Sequence, residues 1–298
     1  MFAAPPSSTS RHNPEKSATI KPPVTLYKAE SEGARPLIFA SPHSGRVYSD
    51  ELLQKTTLPL DVLRRSEDAY IDQLIDCVPD CEANLLLAEY PRVFVDVNRG
   101  PWELDPGMFV DRLPDFVDTK SRRAASGLGV VPRIGADGRP LYRKGMRFEE
   151  ARNRLSLYYT PYHMALRALV DEVKARFGIV VLLDMHSMPS KGAERADFVL
   201  GDRHGHSCDE RITDHIETAL SGLGFVTLRN TPYAGGYTTE HYSEPNSGIH
   251  VIQIEINRAL YMDERRVVLL PKAKKFKTKL QRFIADFSRF DWVSLLAS

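Results

Sequence analysis

The stretch Gly178–Ser190, GIVVLLDMHSMPS, decides how the chain is read. Five apolar residues, Ile179 to Leu183, run unbroken and are followed at once by Asp184, His186 and Ser187. A short run of this kind, mostly β-branched and bounded by Gly178 and Pro189, predicts a strand buried on both faces. Helices must then cover both faces, so the sheet is expected to be parallel. In such sheets ligands bind beyond the carboxyl ends of the strands. Asp184 and His186 lie at that end, two residues apart, so their side chains share a direction. A metal would satisfy them, and so would a buried hydrogen-bond network.

Working outward, Pro36–Ala40 reads as a strand running into a loop that carries His43. Leu85–Ala88, Val93–Val97, Ala196–Leu200, Phe225–Leu228 and Val251–Ile256 read as further strands. Ile252, Ile254 and Ile256 alternate with Gln253 and Glu255. Helical spacing marks Pro59–Arg65, Ala69–Cys77, Phe148–Phe177 (with a break at Pro161), Asp209–Leu223 and Asp263–Phe290. Two stretches lack periodicity. Pro101–Lys144 holds many Gly and Pro with Arg112, Arg122, Arg123, Arg133, Arg139 and Arg143, and its length suggests a lid or binding loop. Tyr233–Tyr242, YAGGYTTEHY, reads as a Gly-rich loop. Strands alternating with helices give one α/β domain with a mostly parallel mixed sheet flanked by helices.

The chain has 298 residues, with 40 basic and 39 acidic side chains and a net charge of +1. That balance gives no argument for nucleic acid or an anionic membrane surface, and no apolar run approaches a membrane span. Cys77, Cys81 and Cys208 cannot all pair, which predicts a reducing, cytoplasmic setting. Met1–Pro23 is rich in Pro, Ser, Ala and Lys and is expected to be a disordered tail. Residues 24–298 form the expected catalytic domain.

Strand ends thus deliver His43, Asn98 with Arg99, Asp184 with His186, and Glu255 with Asn257 and Arg258, while Glu67 and Asp68 precede a helix. Two histidines and a carboxylate suit a zinc site, which leaves one position for water. A carboxylate inside a strand is costly to bury unless used, which makes Glu255 a candidate general base. Each residue also has a plainer role. His43 and His186 can be hydrogen-bonded rim residues, Glu67 and Asp68 helix caps, Glu255 the ion-pair partner of Arg258, and Arg99 a brace for its own loop. His204 and His206 are expected in a solvated loop and His163 as a buried, hydrogen-bonded histidine.

SPHSG at Ser41–Gly45, EDAYIDQLID at Glu67–Asp76 and YPRVFVDVNRGP at Tyr90–Pro101 resemble the N-formylglutamate amidohydrolases. So do GLGVVPR at Gly127–Arg133, YTPYHMAL at Tyr159–Leu166, LDMHSMPS, LGDRHGHSCD, GGYTTEHY and IQIEINRALYMDE. The resemblance implies a phosphorylase/hydrolase-like fold related to zinc carboxypeptidases. It also implies one zinc ion on His43, Asp68 and His186, with Glu255 as catalytic base and Arg99 assisting the substrate carbonyl or carboxylate. Glu67-Asp68-Ala69-Tyr70 replaces the family's usual T-D-W-H, which makes Glu67 a rival ligand. The expected reaction is hydrolysis of N-formyl-L-glutamate to formate and L-glutamate, with Asn98, Arg133, Arg143, Tyr237 and Arg258 as substrate contacts. The expected partner is thus a small N-acyl amino acid, with assembly into a homo-oligomer left open. Two alternatives stand beside it: a zinc deacylase or carboxypeptidase-like enzyme on another N-acyl amino acid, and a metal- or ligand-binding protein without turnover.

Overall fold

In a computed structural model, which describes residues 21–143, 145–191 and 195–297, the stretch around Leu183 is the middle of the molecule. Gly178 ends the preceding helix in the left-handed conformation (φ 75°) and its N–H caps the Lys174 carbonyl. This conformation suits glycine and turns the chain directly into a strand. That strand runs Val180–Met188, so Asp184 and His186 lie within it, buried along its whole length.

Seven strands form one sheet: β1 (Val24–Tyr27), β2 (Leu37–Ser41), β3 (Asn84–Ala88), β4 (Val180–Met188), β5 (Phe198–Gly201), β6 (Thr227–Arg229) and β7 (Ile249–Asn257). Their spatial order is β1-β3-β2-β4-β7-β5-β6. β3, β2, β4 and β7 are mutually parallel, while β1 joins β3, and β5 joins β7, antiparallel. The expected mostly parallel mixed sheet is therefore what forms.

Helices cover both faces. On one, Tyr162, Leu166, Leu169, Val170 and Val173 of the helix Thr160–Phe177 pack in the same core as Leu182 and Val251. On the other, Phe276, Leu280, Phe283, Ile284 and Phe287 of the helix Ala273–Arg289 pack with Leu183, Ile252 and Ile254. Burying each of these large apolar side chains contributes about 1.5–3 kcal/mol. On the first face, side chains two apart along β4 and β7 change from apolar to polar toward the carboxyl ends. Val180 and Leu182 give way to Asp184 and His186, and Val251 gives way to Gln253 and Glu255. Register pairs Asp184 with Gln253 and His186 with Glu255.

Several elements differ from expectation. Val93–Val97 is not a strand. Pro91 starts a turn, with Phe94 N–H on its carbonyl, and Asp96 N–H bonds to Val130 O. Val93, Phe94, Val95 and Val97 are apolar because they plug the core under the loop, not because they pair with a strand. The helix expected over Ala69–Cys77 shrinks to Ile71–Leu74 behind Tyr70, whose φ is 70°. Pro161 does not end the helical run: Phe148–Arg154, the π-helical turn Leu155–Tyr159 and Thr160–Phe177 follow one another without a gap, and the wider turn directly ahead of Pro161 takes up its missing N–H. Asp263–Phe290 is not one helix: Met262–Asp263 and Val268–Leu269 make a hairpin, and the helix begins at Ala273 after Pro271. Tyr237–Tyr242, expected as loop, is a short helix. The long stretch after Pro101 is pinned by turns and bridges such as Glu103 to Asp118 and Ile134 to Pro140. Of the expected N-terminal tail, residues 1–20 lie outside the described residues. The three cysteines are free, and no helix among the described residues is long and apolar enough to cross a membrane.

Candidate active site and metal centre

His43 follows β2, in the loop that crosses the sheet's carboxyl edge. Asp68 is tied to it through the backbone, its N–H donating to the His43 carbonyl (3.0 Å). His186 comes up from β4. The three meet: His43 Nδ1 lies 3.1 Å from His186 Nδ1, and Asp68 Oδ2 lies 2.8 Å from His186 Nδ1 and 3.4 Å from His43 Nδ1. All three are buried. Two metal–ligand bonds of about 2.0–2.1 Å at a tetrahedral angle span roughly 3.3–3.5 Å, so these atoms need move only by tenths of an ångström to hold one ion. Among the described residues this is the only such gathering of His, Cys, Asp or Glu side chains.

Each histidine is held from behind by a carboxylate. His43 Nε2 contacts Asp96 Oδ1 at 2.7 Å, and His186 Nε2 contacts Asp184 Oδ2 at 3.0 Å. A carboxylate on one ring nitrogen fixes the tautomer and leaves the other nitrogen to face a metal. Asp184 therefore reaches His186 although only two residues separate them. Asp96 is in turn gripped by two N–H groups of Arg92 (3.2 and 2.6 Å) and by the Asn98 N–H (2.9 Å). Asn98 Nδ2 donates to Asp184 Oδ2 at 3.3 Å, and its Oδ1 accepts from the N–H and hydroxyl of Thr238. Gly236 makes that approach feasible, since a Cβ there would sit 2.7 Å from Asn98 Nδ2.

The electrostatics follow from this packing. Burial raises the Asp68 pKa, but hydrogen bonds from His186 and His43 outweigh it and hold the carboxyl well below the usual range. Burial disfavours the charged His186 ring, yet the adjacent Asp184 outweighs that and pushes its pKa well above the usual value. Asp96 is likewise buried, but Arg92 keeps its carboxyl well below the usual range. Glu255 sits beside His186 in the next strand. Burial pushes its pKa up to about 7, only partly opposed by the His186 charge. A base poised near neutrality suits proton transfer at physiological pH.

These groups open onto a cavity of about 300 Å³ lined by His43, Asp96, Asn98, Arg99, His186, Gln253 and Glu255, among others. The other expected residues fall elsewhere. Glu67 turns away to Tyr48 Oη (2.8 Å) and Arg64, so Asp68 is the carboxylate that joins the histidines. Buried Arg258 donates to Asp68 Oδ1 (3.0 Å), Ser187 Oγ and the Glu67 carbonyl, a brace behind the cluster and not part of the cavity wall. Arg133 pairs with Asp105 (2.5 Å) and Arg143 bonds to the Thr56 carbonyl, both outside the cavity. Tyr237 stacks on His241 and lines a separate groove with His163. His204 sits in an exposed turn. His163, expected to be buried, is half-buried, with both ring nitrogens engaged as expected. Arg92, Asp96, Arg123 and Gln253 also line the cavity; the sequence assigns them no role, although Arg92 and Asp96 lie in YPRVFVDVNRGP and Gln253 in IQIEINRALYMDE. A clue for Asp96 was available in VFVDV, where a single carboxylate interrupts four apolar residues.

The sequence profile of the N-formylglutamate amidohydrolases matches residues 35–262. The chain is 30% identical to the N-formylglutamate deformylase of Pseudomonas putida over 246 residues, 78% of this chain and 84% of the relative. It is equally identical, at 30% over 245 residues, to the enzyme of that name from Pseudomonas aeruginosa, again 78% of this chain and 84% of the relative. The crystal structure of N-formylglutamate amidohydrolase from Ralstonia eutropha JMP134 superposes with a TM-score of 0.84 at 32% identity, covering 89% of this chain and 97% of that one. With the profile spanning most of its length and the relatives matched over most of theirs, the chain belongs to the N-formylglutamate amidohydrolase family.

Proposed function

We propose that the protein is a zinc-dependent amidohydrolase that cleaves N-formyl-L-glutamate to formate and L-glutamate. The observation that carries this reading is the convergence of His43, Asp68 and His186 beside the raised-pKa carboxylate of Glu255 in one cavity. The names of the Pseudomonas relatives supply the substrate. The donor set fits zinc, with two imidazole nitrogens, one carboxylate oxygen and a carboxylate behind each ring. When bound, zinc supplies Lewis-acid activation of water and of the carbonyl.

The chain's own groups do the rest. Glu255, ionised, takes a proton from the water whose oxygen adds to the formyl carbon. The same carboxyl then delivers that proton to the amide nitrogen as the C–N bond breaks, so the amine leaves neutral. Gln253 Nε2 donates to Glu255 Oε1 (2.8 Å) and keeps the carboxylate aimed into the cavity. Arg99 is fixed by the Leu128 and Asn98 carbonyls (3.1 and 2.8 Å) and lines the cavity, where its charge is available to the substrate's carbonyl or carboxylate.

Formate release from N-formyl-L-glutamate, with zinc quantified and a chelated control, tests the reading. Chelator-sensitive release at about one zinc per chain is the expected result. Release unaffected by complete metal removal overturns the zinc assignment, and a zinc-loaded protein with no release overturns the substrate.

A further inference from the structure

The cavity keeps more positive charge than its own carboxylates neutralise. Three arginines line it: Arg92, Arg99 and Arg123. Arg92 is spent on Asp96. Arg99 has only carbonyl acceptors within hydrogen-bond range, and its nearest carboxylate oxygen, on Asp96, is 3.9 Å away. The Arg123 guanidinium has no hydrogen bond or ion pair among the described residues; only its backbone carbonyl is engaged, by the Leu128 N–H and the Ser126 hydroxyl. Glu103, the neighbouring carboxylate, is engaged by the Gly100 N–H and the Ser121 hydroxyl. Two guanidinium groups are therefore left for a ligand.

They are also held together. Arg99 Nε donates to the Leu128 carbonyl (3.1 Å), and the Leu128 N–H donates to the Arg123 carbonyl (2.9 Å). Two hydrogen bonds thus couple the backbone of Arg123 to the guanidinium of Arg99. The turn between them is closed by Gly127 (φ 78°) and by the Arg133 N–H on the Gly127 carbonyl (2.8 Å). A buried arginine and a rim arginine on one wall, each with donors to spare, match two carboxylates on one small molecule.

We propose that Arg123 is the specificity-determining residue for a second carboxylate, so that the site selects N-acyl amino acids with an acidic side chain over neutral ones. Arg99 takes one carboxylate inside the cavity and Arg123 takes the other at its rim. This rests on the hydrolase reading above and adds the residue that chooses the side chain.

The test compares N-formyl-L-glutamate with N-formyl-L-glutamine, which has nearly the same shape but a neutral side chain, in wild type, Arg123→Met and Arg123→Lys. Wild type is expected to prefer the glutamate substrate by about 10- to 100-fold in kcat/KM, the worth of one charge-assisted pair. Arg123→Met should erase that preference, mostly through KM, and leave the glutamine substrate within about twofold. Arg123→Lys should restore part of it. An unchanged preference in Arg123→Met overturns the assignment while leaving the hydrolase reading intact. If wild type turns over neither compound, the hydrolase reading fails, and glutarate titrated calorimetrically into both proteins judges the clamp alone. Weaker binding to Arg123→Met supports it; equal binding, or none to wild type, overturns it.

Discussion

Gln253 and Glu255 stand two residues apart on β7, and the amide of the first donates to the carboxylate of the second at 2.8 Å. The pair shares a face, so the strand's own period brings donor to acceptor without a loop or a second element. Gln253 Oε1 is buried without a partner among the described residues and lines the cavity.

Gln253→Met keeps the volume but removes the donor. Losing a hydrogen bond to a charged carboxylate raises its pKa. The expected result is a kcat lower by roughly tenfold, with the acid limb of the kcat/KM profile moved to higher pH. Zinc content should not change. A pH–rate series on both proteins checks this, and an unmoved acid limb would refute the positioning role.

Asp184→Asn tests the carboxylate behind His186. The substitution preserves shape and removes the charge that holds the ring. Zinc affinity, measured by competition with a chromophoric chelator, should fall by roughly 10- to 100-fold. Circular dichroism of the metal-free protein should be unchanged.

Gly236→Ala places a methyl 2.7 Å from Asn98 Nδ2. Asn98 must yield, breaking its bonds to Asp184 and Thr238. The expected cost is about 1–3 kcal/mol of stability, the usual range for overpacking, together with loss of activity. In an Asn98→Ala background the same change should cost little, because the atoms it strikes are gone. Denaturant unfolding of the four proteins in this cycle measures the coupling.

His163 gives the fold a pH dependence away from the metal cluster. Burial pushes its pKa down to about 4, with Tyr242 Oη and the Val97 carbonyl on its ring nitrogens. The unfolded chain, with a histidine near 6.5, binds more protons between those values. Its contribution is therefore fully present above pH 6.5 and is lost as pH falls toward 4, about 3 kcal/mol in all. His163→Gln should flatten unfolding free energy against pH in that window relative to wild type. Parallel curves for the two proteins would refute this origin.

The sheet was legible from sequence because buried parallel strands are apolar runs, and GIVVLL admits few other readings. His43, His186 and Glu255 were legible because polar groups directly after or within such runs demand a partner. Asp96 was missed in its role because VFVDV has the composition of a strand; only Pro91 signalled the turn that swings the carboxylate onto His43. Among the arginines of the long loop, local sequence does not distinguish Arg133, which Asp105 draws away, from Arg123 at the cavity. That choice depends on how distant segments meet, and no period in the sequence records it.

The alternation along β4 and β7 has a consequence for how such a chain can diverge. One residue inserted into β7 ahead of Gln253 would trade faces, sending Ile254 and Ile256 toward the cavity and both polar groups into the opposite core. Changes of length are thus excluded from the strands that carry the chemistry. The stretches after Pro101 and before Tyr237 border the same cavity but lie outside those strands, so the two-residue period does not fix their length. New substrate preferences in descendants of this chain would come from redrawing those borders around an unaltered pair of strands.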